Sequence, residues 1–151
     1  MKILVGYTGS KAGKAALDLA EVHARAFGAQ VDVVFSLNRK AEKDSKKIHE
    51  AEQVLEYAGN FYEKAGIPCK TALLIRGLSH GEDLIQYANE NDIDEIVIGA
   101  SRSSLVGKLV FGNTAQYVIL NADCPVILTK SRLYNNMDYS RYTAAALQEK
   151  K

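Results

Sequence analysis

Cysteine is scarce in this chain of 151 residues. The two present, Cys69 and Cys124, lie far apart and outside any metal-ligand spacing. Each falls at the start of a strand-like run, so both read as small, reduced core residues, and a reducing cytoplasm is the expected compartment. An excess of charge is missing too. Nineteen basic and 18 acidic side chains leave a net charge of +1, which excludes a broad attraction to nucleic acid or to an acidic membrane surface. Nowhere does an apolar run approach the roughly 18 residues of a membrane span. Met1-Lys2 passes directly into strand-like Ile3-Leu4-Val5, so no signal peptide is expected. With 47% hydrophobic and 25% charged residues the chain is not of disordered composition, and its length suits one domain with a substantial core.

An alternation of strand and helix signals fills most of that length. Lys2–Tyr7 reads as a first strand, and Ser10 as the N-cap of a helix with Ala12, Ala16, Leu19, Ala20, His23 and Phe27 at helical spacing, stopped by Gly28. Val31–Leu37 is a second strand. The charged run Arg39–Lys47 reads as a solvated loop and helix start, leading to a long helix with Ile48, Ala51, Leu55, Ala58, Phe61, Tyr62 and Ala65 on one face and Gly66 and Pro68 at its end. Cys69–Arg76 is a third strand. Ser79 and Glu82 have capping-box spacing before a helix carrying Leu84, Ile85 and Ala88. Glu95–Gly99 is a fourth strand, Asn113 with Gln116 a second capping-box-like pair opening a helix to about Leu120, and Val126–Thr129 a fifth strand. This βα order predicts an α/β fold with a parallel sheet and helices on both faces, in which ligands bind beyond the carboxyl ends of strands where the strand order reverses. Strand order itself is not legible from the pattern. Residues 131–151 are polar, with Tyr134, Tyr139 and Tyr142 interspersed, and read as a tail outside the domain of residues 1–130.

The chemistry concentrates in the segment Ile96–Leu120. An apolar run ends at Gly99, a serine-rich loop with Ser101 and Arg102 follows, and Gly112-Asn113-Thr114 opens a helix. A helix start offers free N–H groups and the positive end of a dipole, and glycine lets a ligand approach the backbone. Such a loop reads as a phosphate cradle, with Arg102 able to grip phosphate bidentately and Asn113 to cap the helix. Other constellations are weaker. Gly107-Lys108 lacks the flanking glycine and hydroxyl of a P-loop, and His23, His49 and His80 show no metal spacing. His23 reads as a packed residue and His80 as a surface residue close to the end of the third strand.

The runs Ile3-Leu4-Val5-Gly6-Tyr7-Thr8-Gly9-Ser10, Arg76-Gly77, Glu95–Gly99, Phe111-Gly112 and Ala122-Asp123-Cys124-Pro125-Val126-Ile127-Leu128 carry a resemblance to the universal stress protein (UspA-like) family over roughly residues 1–130. The resemblance implies a five-stranded parallel sheet of order 3-2-1-4-5 (Rossmann-like), and a homodimer made through the last strand, Val126–Thr129. It also implies an adenine nucleotide, ATP first among them, with or without Mg2+, at the carboxyl ends of strands one and four. The family's ATP-binding branch carries a glycine, two residues, a glycine, nine residues, then glycine followed by serine or threonine. Gly99 and Gly112 fit the first and third positions; Arg102 stands at the second and Asn113 at the serine/threonine position, with Thr114 directly after it. Where that branch has an acidic residue for the ribose, this chain has Thr8. The implied nucleotide set is therefore Gly6, Thr8, Ser36, Gly99, Ser101, Arg102, Gly112, Asn113 and Thr114, with the base near Ser36. Two function classes follow: a nucleotide-binding regulatory protein of the stress response, or a dimeric interaction or chaperone-like module without nucleotide. Neither a general base nor a carboxylate pair for a metal stands beside the loop, so catalysis beyond slow ATP hydrolysis is not expected.

Overall fold

The computed structural model describes residues 1–100 and 112–130. Five strands and four helices alternate: β1 Lys2–Gly6, α1 Lys11–Phe27, β2 Gln30–Ser36, α2 Ser45–Lys64, β3 Cys69–Leu74, α3 His80–Glu90, β4 Glu95–Gly99, α4 Asn113–Asn121 and β5 Val126–Thr129, with a 3-10 turn at Arg39–Lys43 before α2. All strand pairs are parallel and the sheet order is β3-β2-β1-β4-β5. The order reverses between β1 and β4, where Ile3 lies opposite Glu95 and Val5 opposite Val97. Beyond that pair the turn after β1 lies at the carboxyl end of β4.

Alternation of side chains splits the core in two. Ile3, Val5, Val31, Val33 and Val97 project toward α1 and α2 and meet Ala16, Leu17, Ala20, Ala58 and Tyr62. Leu4, Val34, Ile96 and Ile98 project toward α3 and α4 and meet Leu84, Tyr87, Ala88, Ala115 and Val118. Strands covered on both faces carry apolar runs, as parallel sheets require. Each fully buried Leu, Ile or Val contributes about 1.5–3 kcal/mol.

Several details depart from the sequence pattern. The buried face of α1 runs through Leu17, Asp18 and Ala24, whereas Phe27 is 59% exposed. The helix ends there in a left-handed Gly28 whose N–H bonds the Ala24 carbonyl, so the last turn lies past the sheet. His23 is not simply packed: its Nδ1 lies 2.6 Å from Glu95 Oε1. The helix α2 starts three residues earlier than its apolar face, because Asp44 accepts from the Lys47 N–H and caps it. Both cysteines are half-buried rather than core residues. Burial pushes the Cys69 thiol up to about 11, so it stays protonated. The expected Asn113–Gln116 capping box is absent. Gly112, extended at φ −61°, ψ 160°, takes the N-cap position, and Asn113 is already the first helical residue, one place too late to cap. The Ser79–Glu82 box does form, with both reciprocal bonds present, at 3.3 Å and 2.9 Å.

Candidate functional site

The β1 turn, the ends of β2 and β4 and the starts of α1, α3 and α4 surround one pocket. Gly6, Tyr7, Thr8, Ser10 and Gly13 line it from the first turn, Val34 and Ser36 from β2, His80 and Leu84 from α3, Ile98 and Gly99 from β4, and Thr114 from α4. Gly6, Thr8, Ser36, Gly99 and Thr114, drawn from four separate stretches of sequence, thus come together. Gly112 and Asn113 sit at the exposed start of α4 and do not line the pocket. Ser101 and Arg102 lie outside the described residues, as does the tail 131–151.

The glycines divide by role. At Gly99 a Cβ would fall inside van der Waals contact of the Ala12 carbonyl and 2.8 Å from the Gly13 nitrogen. Its missing side chain lets the first turn of α1 pack on the end of β4. At Gly6 a Cβ would lie 3.0 Å from Leu84, again an internal contact. Gly112 is different: among the described residues no heavy atom lies within 4 Å of its Cβ position.

Helix starts dominate the polar character. Ser10 caps α1 by accepting from Gly13 N–H at 3.0 Å, and Ser79 caps α3. Among the described residues no side chain caps α4. Three helix dipoles contribute positive potential to one pocket, which favours an anion there.

An apolar part of the lining stands beside Ser36 and His80. Val34, Leu84 and Ile98 form it, with Gly6 beneath Leu84. The Ser36 hydroxyl, 5% exposed, donates to Asp83 Oδ2 at 2.5 Å. Asp83 is fully buried, and its other oxygen accepts from Arg76 Nε at 2.9 Å. Arg76 also donates to the Asp83 carbonyl at 3.2 Å and to Glu90 at 2.9 Å. Partial burial pulls the Arg76 pKa down, but its bonds to Asp83 and Glu90 outweigh this and raise it. Tyr7, 6% exposed, is held above the usual tyrosine range mainly by burial. Its ring fills the space beside Gly13, where a Cβ would come within 2.7 Å of it.

Sequence reasoning missed Tyr7, Ser10, Gly13, Val34, His80, Leu84 and Ile98 as lining residues. A signal existed for His80 and Leu84. The capping box at Ser79 marks a helix start directly after β3, and every βα turn of a parallel sheet lies at the same edge. Among the described residues there is no cluster of three or more His, Cys, Asp or Glu side chains suited to a metal ion, and no helix is long and apolar enough to cross a membrane.

The comparisons with known proteins agree with this geometry. The family model "Universal stress protein family" matches residues 1–130. A universal stress protein from Thermus aquaticus is 31% identical over 148 residues, covering 85% of this chain and 97% of its own. The structure of a universal stress protein from Archaeoglobus fulgidus superposes with a TM-score of 0.75 at 35% identity, covering 85% of this chain and 92% of that one. A second Archaeoglobus fulgidus structure, of the universal stress protein in complex with dAMP, gives a TM-score of 0.70 at 33% identity and covers 85% and 96%. The chain belongs to the universal stress protein family.

Proposed function

We propose that this protein is a small regulatory protein of the stress response that binds an adenine nucleotide across the carboxyl ends of β1 and β4 and acts in the cytoplasm. The observation that carries the reading is the convergence of Gly6, Thr8, Ser36, Gly99 and Thr114 on one pocket beside the uncapped start of α4. Phosphates would lie against the N–H groups of Asn113 and Thr114, with Ser101 and Arg102 of the preceding loop supplying further donors. The ribose would lie at Thr8 and the base between Val34 and Leu84. The Archaeoglobus fulgidus relative's complex with dAMP supports an adenine ligand. ATP, with or without Mg2+, remains the first candidate. Isothermal titration with ATP, ADP, AMP and dAMP tests the reading: micromolar or tighter binding of at least one is expected. Binding of none would leave the alternative, a dimeric interaction module that works without nucleotide.

Thr8 makes a sharper forecast. A carboxylate can accept from two ribose hydroxyls at once, and charged hydrogen bonds are roughly twice as strong as neutral ones. Threonine offers one short neutral oxygen. ATP and 2′-deoxy-ATP should therefore bind within about 1 kcal/mol of each other, the size of a typical net neutral hydrogen bond. Thr8→Asp should favour ATP over the deoxy form, while any repulsion between carboxylate and phosphate acts on both ligands alike. A wild-type preference for ATP of tenfold or more would show that Thr8 is not at the ribose.

We also propose a two-fold homodimer through Val126–Thr129. Among the described residues the strand β5 closes one edge of the sheet with β4 as its sole neighbour, its apolar residues are only half-buried, and Tyr117, Ile119 and Leu120 are exposed on the adjoining α4, Leu120 by 82%. An open apolar edge of this kind needs cover. The Pro125 and Thr129 carbonyls accept from Ile96 and Ala100, so odd-numbered residues of β5 face β4 and the N–H of Leu128 faces the open edge. Leu128→Pro removes that donor and should shift the protein toward monomer in light scattering at micromolar concentration, whereas a wild-type monomer would exclude the dimer.

A further inference from the structure

The helices α3 and α4 leave a groove of about 500 Å³ between them, which shares no lining residue with the pocket at the sheet edge. Leu78, Ile85 and Tyr117 form its apolar part. Tyr117 lies against α3 where Gly81 leaves room for it; a Cβ on Gly81 would come within 2.9 Å of the Tyr117 Cβ. Tyr117 is nevertheless 37% exposed, and Ile85 is only half-buried. Glu82 and Glu90 line the same groove. They stand eight residues apart on α3, about 12 Å at 1.5 Å per residue. No Lys, Arg or His is among the lining residues. Arg76 reaches Glu90 at 2.9 Å, but among the described residues Glu82 accepts only from the Ser79 N–H and has no basic partner.

The chain itself carries a complement to this surface. Residues 131–151 contain four bases and two acids, a net of +2, which leaves residues 1–130 at −1. Arg132 and Arg141 bracket Leu133, Tyr134, Met137 and Tyr139, so bases flank an apolar set as the two acids flank one in the groove. The starting point is suitable as well. The Thr129 carbonyl accepts from the Ala100 N–H, so β5 ends at the carboxyl edge of the sheet, where Leu78 and Glu82 lie at the start of α3. A helix is about 10 Å across, and twelve residues reach about 40 Å when extended, so the path is short for this segment. Covalent attachment also favours it over a foreign peptide. An open groove holds a free peptide weakly, whereas a short tether gives an effective concentration on the order of millimolar, at which weak contacts suffice.

We propose that residues 131–142 dock in the α3–α4 groove of their own chain. Leu133, Tyr134, Met137 and Tyr139 cover Leu78, Ile85 and Tyr117, and Arg132 and Arg141 face Glu82 and Glu90. Ile119 and Leu120 do not line the groove and stay available to the proposed dimer face. A partner segment of the same chemistry, bases flanking aromatics, would compete with the tail for this surface.

Photo-crosslinking of the whole chain tests the proposal. With p-benzoylphenylalanine in place of Tyr134, most crosslinks mapped by mass spectrometry should fall within residues 78–90 and 113–121 of the same chain. Mixing isotopically heavy and light protein separates crosslinks within a chain from those between chains. Arg132→Glu and Arg141→Glu introduced together should lower the yield in the groove about fivefold, since two surface ion pairs are replaced by repulsion. Salt on the order of 0.5 M should lower it in the parent protein too. Crosslinks spread over the surface with no excess in the groove would overturn the proposal. So would crosslinks mainly between chains, which would make a second copy the occupant. An unchanged yield after charge reversal would overturn the pairing of the two arginines with Glu82 and Glu90. Every substitution lies within residues 131–142, so the result does not depend on altering a side chain that α3 or α4 needs for folding.

Discussion

Replacing Asp83 by alanine is expected to destabilise the fold by about 3 kcal/mol, the lower end of what breaking a buried ion pair costs. The carboxylate has no solvent exposure and accepts from Ser36 at 2.5 Å and from Arg76 at 2.9 Å. Hydrogen bonds to charged groups contribute about 1.5–3 kcal/mol each, and the buried Ser36 hydroxyl would lose its acceptor. Two features keep the cost from the top of the range. The Arg76 side chain retains 27% exposure, and Glu90 still holds it. Asp83→Asn keeps an acceptor for Ser36 and should cost less than Asp83→Ala. The exposed pair Arg25–Glu21, one turn apart on α1, is the control: Glu21→Ala should cost no more than about 0.5 kcal/mol. Urea unfolding of the variants at constant slope gives these differences directly. If Asp83→Ala proves no more costly than Glu21→Ala, the network holds nothing together.

None of this network was legible in the sequence, and the reason is physical. Burial is inferred from apolar periodicity, so an acidic residue reads as solvent-facing. Asp18, Asp32 and Asp83 break that rule because each brings a partner. Lys14 reaches Asp18 from one helical turn away, Tyr87 and Gln30 hold Asp32 inside β2, and Arg76 with Ser36 holds Asp83. Ser36 lies 47 residues from Asp83 and Tyr87 lies 55 from Asp32, beyond any local window. What depends on local chemistry was legible. The five strands and four helices fall where the apolar runs and caps put them, and the Ser79–Glu82 box closes as its spacing suggests. The strand order came from family resemblance, since the apolar pattern of β1 does not say which strands flank it. Of the pocket, Gly6, Thr8, Ser36, Gly99 and Thr114 were named in advance. A glycine at a strand end in a phosphate-type motif suggests room for a ligand; the packing of α1 adds a second reason for glycine there, which no local pattern reveals.

That distinction predicts opposite behaviour for two glycines of one motif. Gly99→Ala places a methyl group against the Ala12 carbonyl and the Gly13 nitrogen, both backbone atoms at the start of α1. A flexible side chain could step aside, but a helix start can move only by shifting the helix. Overpacking of this sort costs about 1–3 kcal/mol, and a backbone obstacle puts Gly99→Ala near the upper end. Gly112→Ala meets no atom of the described residues within 4 Å, and its φ of −61° suits any residue. It loses only the modest preference for glycine over alanine at an N-cap, under about 1 kcal/mol. For ligand binding the order reverses. If phosphates rest on the uncapped start of α4, the methyl group of Gly112→Ala stands where they approach, and nucleotide affinity should fall tenfold or more in a protein of nearly wild-type stability. Gly99→Ala should lower the melting temperature clearly more than Gly112→Ala does. Thermal unfolding and nucleotide titration of the two variants separate the roles. A Gly112→Ala protein with wild-type affinity would move the phosphates away from α4, and a Gly99→Ala protein with wild-type stability would mean that α1 and β4 are not locked together there.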